Sequence, residues 1–232
     1  MKIIQPQPSL TEQVYDAIAD EISDGALPAG AHLVQEQLAA RLGVSRQPIQ
    51  QAMALLKADG MVEEIGRRGL RVTPLDLDLM RHHYDIRAAL DGLAARMAAK
   101  RARDVPGAAQ AIEKRGEAIL RMGEAAVGRD AVGEQVRHDE ALHKLLYESS
   151  GNPLLARTAE PHWRFLRRAM AAVLRYAELP GNIWRQHAEI LEAVVAGDPS
   201  GAEALVIRHD LEAAKALHGV LAERPDAAAA GD

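Results

Sequence analysis

Residues 38–60 read LAARLGVSRQPIQQAMALLKADG and carry the most specific local pattern in the chain. Leu38 and Leu42 are spaced to anchor one helix, and Gly43 permits a sharp turn after it. Ser45 stands where the next helix would take its N-cap, and the proline that follows is tolerated in a first helical turn. Two short helices joined by so tight a turn predict a helix-turn-helix unit.

The flanking sequence extends this unit to residues 10–73. Apolar side chains recur at helical spacing before it, at Leu10, Val14, Ile18 and Ile22. After Gly60, the stretch MVEEIGRRGLRVT alternates on both sides of a Gly-Arg-Arg-Gly turn, which predicts a β-hairpin. We therefore expect three helices, the second over about 35–42 and the third over about 46–59, followed by a hairpin that forms a wing.

Only helical patterns occur from Pro74 onward. Breaks rich in glycine and proline fall near residues 105–107, 128, 151–153, 179–182 and 197–199. They divide residues 74–223 into about six helices with no strand pattern between them. Residues 1–9 and 224–232 continue no apolar stripe, so we expect mobile ends. The predicted fold class is mainly α, with an N-terminal winged helix-turn-helix followed by an all-α helical bundle.

The composition limits the classes of function. The chain has 232 residues, 48% of them hydrophobic, and a formal net charge of −5. Cysteine is absent, which excludes disulfides and thiolate metal sites. No apolar leader and no stretch of bilayer-spanning length occur, so we expect a cytoplasmic protein without a membrane partner. The acidic balance argues against a uniformly basic nucleic-acid binder, so any DNA contact must depend on local patches.

The third helix and the wing provide such patches. Ile49, Met53 and Leu56 form the expected buried stripe of the helix, which leaves polar side chains of suitable length for base edges and phosphates on its other faces. We expect DNA contacts from Ser45, Arg46, Gln47, Gln50, Gln51, Arg67 and Arg68. The alternative is that these side chains are merely solvated. Residues 1–73 hold seven basic and nine acidic side chains, so the positive charge is concentrated on the third helix and the wing.

A second pattern lies in the predicted bundle, where the stretch RHDEALHKLL turns polar groups inward. Asp139 and His143 share a helix face with two leucines, and His187 and His209 lie in line with apolar residues of the last two helices. A lone inward histidine is usually a hydrogen-bonded core residue, but four such groups in one bundle would each need a buried partner. Three imidazoles and one carboxylate, two of these groups on adjacent turns, predict a divalent metal site.

Four N-terminal motifs occur in a fixed order. They are G-x-L-P-x-G-x-x-L at 25–33, LAxxLGVSRxPI at 38–49, L-x-x-x-G at 56–60 and RRG-x-x-V at 67–72. Together they closely resemble the winged helix of GntR-type bacterial transcriptional regulators, over nearly all of residues 10–73. The resemblance implies binding to double-stranded operator DNA as a homodimer. The chain departs from the family at Gln50, where a base-reading arginine is usual, and at Glu36, where a basic residue is frequent, so a standard operator sequence is not expected.

The second half carries four further motifs. They are YDIRAALDGLAARMAA at 84–99, DEALHKLLYESSGNPLL at 139–155, HAEILEAVVAGD at 187–198 and RHDLEAA at 208–214. They resemble, over about residues 78–222, the FCD-type effector domain of the fatty-acid-responsive branch of GntR regulators. Metal-containing members use an Asp, a His four residues later and one His in each of the last two helices, which implies Asp139, His143, His187 and His209 as ligands. We expect Zn²⁺ before Ni²⁺ or Mn²⁺. Members that bind acyl-CoA lack this set, so a fatty-acyl effector is not expected.

The same resemblance implies a small carboxylate effector that completes the coordination of the metal. The predicted ligands supply one negative charge, which leaves a divalent ion attractive to an anion. Arg87 matches the Arg of the family's R-x-x-L-E motif and is expected to pair with that effector; the alternative is a salt bridge to a neighbouring helix. Asp91 replaces the motif's Glu. Trp184 is expected to line the effector pocket, with plain core packing as the alternative.

These patterns favour a ligand-responsive transcriptional regulator over an enzyme. One alternative is a helical-bundle metallohydrolase with a DNA-binding appendage, since His and Asp ligands with an open position also suit hydrolysis. The lack of an H-E-x-x-H spacing and of cysteine argues against it. Another alternative is a purely structural metal, which predicts a closed site that no carboxylate enters.

Overall fold

The computed structural model describes residues 9–23, 25–66, 69–174 and 182–223. The described residues form two units, the first ending at Leu75 and the second beginning at Asp76. Both units are mainly helical, which confirms the predicted fold class. Within the described ranges, no helix has the length and apolar character that crossing a membrane requires.

The first unit contains three helices: α1 Leu10–Ser23, α2 Gln35–Leu42 and α3 Arg46–Ala58. The predicted stripe of α3 is confirmed, since Ile49, Met53 and Leu56 are all buried in the core of this unit. Leu10 is an exception to the stripe predicted for α1, because its side chain is exposed at the first turn. Gly43 adopts a left-handed conformation with φ of 65°, and this allows the sharp turn between α2 and α3.

Ser45 occupies the N-cap position of α3, but its side chain makes no capping hydrogen bond. The predicted N-cap position of Ser45 is therefore confirmed, but the prediction that its side chain caps the helix is wrong. An N-cap hydroxyl accepts from the backbone N–H two or three residues later. The residue three positions later is Pro48, which has no N–H to donate.

The predicted hairpin is present as β1 Val62–Ile65 and β2 Gly69–Val72, paired antiparallel. Backbone atoms of the loop before α2 extend this sheet, since the Leu33 N–H donates to the Leu70 carbonyl at 2.8 Å. The pairing of this loop with β2 was not predicted, because the glycines and the proline of the loop indicated only the end of α1. Arg67 and Arg68, at the tip of the wing, lie outside the described residues.

The second unit is all-α over its described residues, with six helices: α4 Leu77–Asp104, α5 Ala108–Gly128, α6 Val132–Ser150, α7 Pro153–Leu174, α8 Ile183–Val195 and α9 Pro199–Glu223. The carboxylate of Asp76 accepts the Leu79 N–H at 2.9 Å and so begins α4 with a side-chain cap. The long α4 packs against each of the other five helices, most extensively against α9. Polar side chains directed inward from α4, α6, α8 and α9 therefore meet in the core of this unit.

Candidate metal centre

The four predicted ligand residues come together in the core of the second unit. Helix α6 supplies Asp139 and His143, α8 supplies His187, and α9 supplies His209. One donor atom from each lies within 4.8 Å of the others. The exposed fractions are 5% for Asp139, 0% for His143 and His187, and 1% for His209. Polar groups this deeply buried require partners inside the protein.

The distances between these donors suit a shared metal ion. The Nε2 atom of His187 lies 3.1 Å from the Nε2 atom of His209 and 3.2 Å from Oδ1 of Asp139. Ligands bound at about 2.0–2.1 Å lie about 2.8–3.0 Å apart around an octahedral ion and about 3.3–3.4 Å apart around a tetrahedral one, so both observed separations lie between these two values. The other oxygen of Asp139, Oδ2, is buried and has no hydrogen-bond partner among the described residues; the guanidinium of Arg87 lies 3.8 Å from it, beyond hydrogen-bond distance. A cation would satisfy that oxygen, so the residues present fit a divalent metal.

Two outer groups orient the histidine rings. The Nδ1 atom of His209 lies 3.0 Å from Oε1 of Gln186, so an N–H there can donate to the amide oxygen. The Nδ1 atom of His143 lies 2.7 Å from Oδ2 of Asp91. A proton held on Nδ1 by such a partner places the lone pair of the ring on Nε2, which in His143 faces the Nη2 atom of Arg87 at 2.7 Å, so a metal at that position must displace the guanidinium contact.

The electrostatics of the centre favour the protonation states that a metal requires. Burial lowers the pKa of His209 well below its ordinary value, and the adjacent His187 and His143 lower it further. Burial and the charge of Arg87 also lower the pKa of His143. Burial by itself would raise the pKa of Asp139, but the hydrogen bond and charge of His187 outweigh it and hold the pKa far below its usual range. An ionised Asp139 beside neutral His143 and His209 is the state in which these groups bind metal.

Arg87 lies beside these donors and is itself fully buried. Its Nε atom is 3.1 Å from Asp91 Oδ2 and 3.2 Å from Asp210 Oδ1, and its Nη2 atom is 2.7 Å from Nε2 of His143. The guanidinium also stacks over the ring of Trp163 at 4.0 Å. The salt bridge to a neighbouring helix, which was the alternative role for Arg87, is therefore present, and the same side chain borders the candidate metal ligands.

Asp210 and the role of Asp91 were not predicted. Burial raises the pKa of Asp210 well above its ordinary value, whereas the charges of His143 and Arg87 more than offset burial and lower the pKa of Asp91. Together with His143 these two carboxylates form a second group that could hold a cation, but Arg87 already places a positive charge against both. The spacing of Arg87 and Asp91, four residues apart on an alanine-rich helix face, is the sequence signal that could have indicated this buried pair.

Trp184 borders the centre from α8. Its ring meets the ring of His187 edge-on, with 5.0 Å between centroids. On its other side the indole lies over Gly123 of α5, where an added Cβ would overlap the ring. Trp184 therefore packs against α5 and contacts a candidate ligand at the same time.

The predicted DNA-contacting residues of α3 and its N-cap lie on the surface of the first unit. Ser45, Arg46, Gln47, Gln50 and Gln51 are all exposed. Two of them have side-chain partners within the unit. Arg46 Nη2 lies 2.5 Å from Glu36 Oε1, and Gln51 Oε1 accepts from the hydroxyl of Thr11 at 2.6 Å.

Sequence comparison identifies both halves of the chain. The pattern described as "Bacterial regulatory proteins, gntR family" matches residues 10–72, and the FCD domain matches residues 82–213. A probable D-xylose utilization operon transcriptional repressor of Paenarthrobacter nicotinovorans is 30% identical over 208 residues, which cover 87% of this chain and 85% of that protein. The HTH-type transcriptional repressor RspR of Escherichia coli K12 is 23% identical over 223 residues, covering 96% of this chain and 95% of that one.

Solved structures share the fold. Escherichia coli McbR/YncC superposes with a TM-score of 0.78 at 20% identity, covering 92% of this chain and 99% of that chain. A GntR transcriptional regulator from Rhodococcus sp. RHA1 superposes with a TM-score of 0.74 at 20% identity, covering 90% and 97%. The families and named relatives are transcriptional regulators and not enzymes, which confirms the prediction against catalysis. The chain belongs to the GntR family of bacterial regulatory proteins and is a DNA-binding transcriptional regulator with a C-terminal FCD domain.

Proposed function

We propose that this regulator senses a small organic acid through a divalent metal ion bound by Asp139, His143, His187 and His209. The observation that carries the proposal is the convergence of His187 Nε2 on His209 Nε2 and on Asp139 Oδ1, at 3.1 Å and 3.2 Å, beside a buried carboxylate oxygen without a hydrogen-bond partner. Imidazole and carboxylate donors suit Zn²⁺ first, with Ni²⁺ and Mn²⁺ as alternatives.

The chemistry of the donor set supports an anionic effector. Three neutral imidazoles and one carboxylate leave a divalent ion with net positive charge, and an octahedral ion keeps two positions for water. A carboxylate, or a carboxylate with a neighbouring hydroxyl, can displace that water, which favours hydroxy acids and sugar acids. The relative named for a D-xylose utilization operon supports testing sugar acids first.

Arg87 and Trp184 are the proposed effector contacts from the protein. Arg87 already pairs with Asp91 and Asp210, so an effector carboxylate that engages it competes with Asp210 for the Nε side of the guanidinium. The metal donors are buried, so an effector reaches them only after a bordering side chain such as Trp184 has moved. A metal with a purely structural role is the competing proposal, and it requires that no carboxylate binds.

Metal analysis and thermal-shift screening test this proposal together. Purified wild type should retain stoichiometric metal, whereas His187→Ala and His209→Ala should lose it; His218→Ala, which removes an exposed histidine of α9, is the matched control. Carboxylates should stabilise metal-loaded wild type and lose that effect after chelation, because a ligand that binds only the folded holo form raises stability by mass action. Metal retention by both alanine variants would refute the ligand set. Equal carboxylate binding to the chelated protein would make the metal structural.

We further propose that the regulator acts as a homodimer on a two-part operator in the bacterial cytoplasm, where the chromosome lies. A single winged helix offers a small footprint, and paired half-sites supply the missing affinity. The proposed DNA contacts are Ser45, Arg46, Gln47, Gln50 and Gln51, with Arg67 and Arg68 from the wing. Light scattering of the protein alone should give twice the mass of one chain, and on its operator that mass plus the mass of the duplex. A monomer in both states would refute the dimer.

A further inference from the structure

Two histidines outside the proposed metal centre face each other across α4 and α7. The Nδ1 atom of His83 on α4 lies 3.0 Å from the Nδ1 atom of His162 on α7. Both residues are half-buried, so one edge of the pair is open to solvent. The ring of His83 stacks on Phe165, with centroids 4.3 Å apart and planes 14° apart, and His162 meets it edge-on at 5.1 Å. Packing therefore holds the orientation of this pair.

Two imidazole nitrogens that face each other at this distance can interact in two ways. One ring can donate its Nδ1–H to the lone pair of the other, which accounts for the contact by itself. Alternatively, a cation can accept both lone pairs. The separation of 3.0 Å matches adjacent nitrogen ligands of an octahedral ion, which lie about 2.8–3.0 Å apart when each bond is about 2.0–2.1 Å. It also matches the 3.1 Å between Nε2 of His187 and Nε2 of His209.

The protonation state of the pair suits a metal ligand. Burial, followed by the neighbouring His162 and His82, lowers the pKa of His83 to about 4. Burial likewise lowers the pKa of His162. Both imidazoles are consequently neutral at physiological pH, and neutral imidazole is the form that binds metal.

We propose that His83 and His162 form a second, outer binding site for a divalent transition metal ion of the class that imidazole prefers, namely Cu²⁺, Zn²⁺ or Ni²⁺. The ion is bound by the two Nδ1 atoms, and water completes its coordination. The proton of the donating ring moves to its Nε2 atom through solvent, so two neutral rings release no net proton. With two protein ligands this site is weaker and more accessible than the buried one.

The outer site would join two helices that also contribute to the core of this unit. Trp163, the residue after His162, stacks on the guanidinium of Arg87, and Arg87 follows His83 by one helical turn on α4. A metal bound between His83 and His162 therefore fixes the distance between α4 and α7 beside the cluster that surrounds Arg87.

Metal titration of the full-length chain tests the site. Cu²⁺ is added to wild type, His83→Gln, His162→Gln and the exposed-histidine control His218→Gln, after circular dichroism has verified folding. Wild type and the control should each bind one more Cu²⁺ ion than either pair variant. The electron paramagnetic resonance spectrum of this extra ion should show nitrogen hyperfine splitting, and both pair variants should lose that signal. The extra ion should persist in His187→Ala, which lacks a donor of the buried centre. Unchanged stoichiometry and affinity in both pair variants would overturn the proposal.

A measurement on wild type alone keeps the test independent of the variants. Diethyl pyrocarbonate modifies accessible neutral imidazoles, and mass spectrometry locates the modified residues. Zn²⁺ should protect His83 and His162 from the reagent while leaving His218 reactive. Equal modification of the pair with and without Zn²⁺ would overturn the proposal even if the variants do not fold.

Discussion

The carboxylate of Asp91 lies 2.7 Å from the Nδ1 atom of His143, between α4 and α6. The hydroxyl of Tyr147 donates to the same carboxylate, and Nε1 of Trp163 donates to that hydroxyl at 3.1 Å. These contacts hold the Nδ1 side of the His143 ring, and its Nε2 atom, the proposed metal donor, lies 2.7 Å from Nη2 of Arg87. Outer carboxylates of this kind also raise the basicity of a histidine ligand.

We predict that Asp91→Asn weakens metal binding by about 10-fold to 100-fold, the usual effect of removing such an outer partner. Competition with a chelator of known affinity measures the change in the folded protein. Asp85→Asn is the matched control, because it makes the same substitution on an exposed face of the same helix. An unchanged metal affinity in folded Asp91→Asn would show that His143 is not a ligand or does not depend on this carboxylate.

Metal removal should loosen one unit of the chain and leave the other unaffected. The proposed ligands lie on α6, α8 and α9, whereas α1 to α3 carry none of them. Hydrogen exchange after chelation should therefore accelerate in peptides of α6, α8 and α9 but not in peptides of α1 to α3. A metal held at 1,000 times its dissociation constant stabilises the folded state by about 4 kcal/mol. Exchange rates that stay the same throughout the second unit would contradict a bound metal in the purified protein.

Arg46→Ala should weaken specific operator binding by about 1–3 kcal/mol if Arg46 reads a base edge in the major groove. Fluorescence anisotropy on specific and scrambled duplexes at one salt concentration measures this loss. Arg41→Ala, which removes an exposed arginine of α2 outside the proposed contact set, should bind both duplexes almost as wild type does. Equal operator affinity in Arg46→Ala and wild type would remove Arg46 from the recognition surface.

Glu36→Gln should strengthen DNA binding. The carboxylate of Glu36 holds Arg46 at 2.5 Å in the free protein, and both side chains are largely exposed. Exposed ion pairs contribute about 0–1 kcal/mol, so release of Arg46 should tighten binding by no more than about fivefold and less at high salt. Asp16→Asn makes the same charge change at an exposed position of α1 and controls for the general effect of acidity. Weaker binding in Glu36→Gln than in Asp16→Asn would refute this competition.

Helical periodicity was sufficient to predict that the four proposed metal ligands enter the core. Asp139 and His143 share a face of α6, and His187 and His209 fall on the apolar stripes of their helices, so their burial follows from spacing alone. The partners of Arg87 on other helices did not follow from spacing, because contact with Asp210 depends on how α4 packs against α9. Asp210 is also the residue after His209, and both are buried because α9 is covered on several sides.

Local capping was predictable only in part. The position of Ser45 at the start of α3 followed from sequence, but its side-chain hydrogen bond did not form; Pro48 removes one of the two backbone donors that a cap can use, and Gln47 retains the other. Residue type indicates where a helix begins, whereas the bonding at that end depends on which backbone donors the next turn retains.

The contact between Gly123 and Trp184 has an evolutionary consequence. The indole occupies the space that any side chain at position 123 would need, and its other edge meets the ring of His187. A mutation of Gly123 alone therefore moves a ring that borders the metal donors, and a smaller residue at position 184 would compensate for it. Positions 123 and 184 should therefore covary among descendants of a common ancestor. The shape of the proposed effector pocket can change through this pair while the four proposed metal ligands are inherited unchanged.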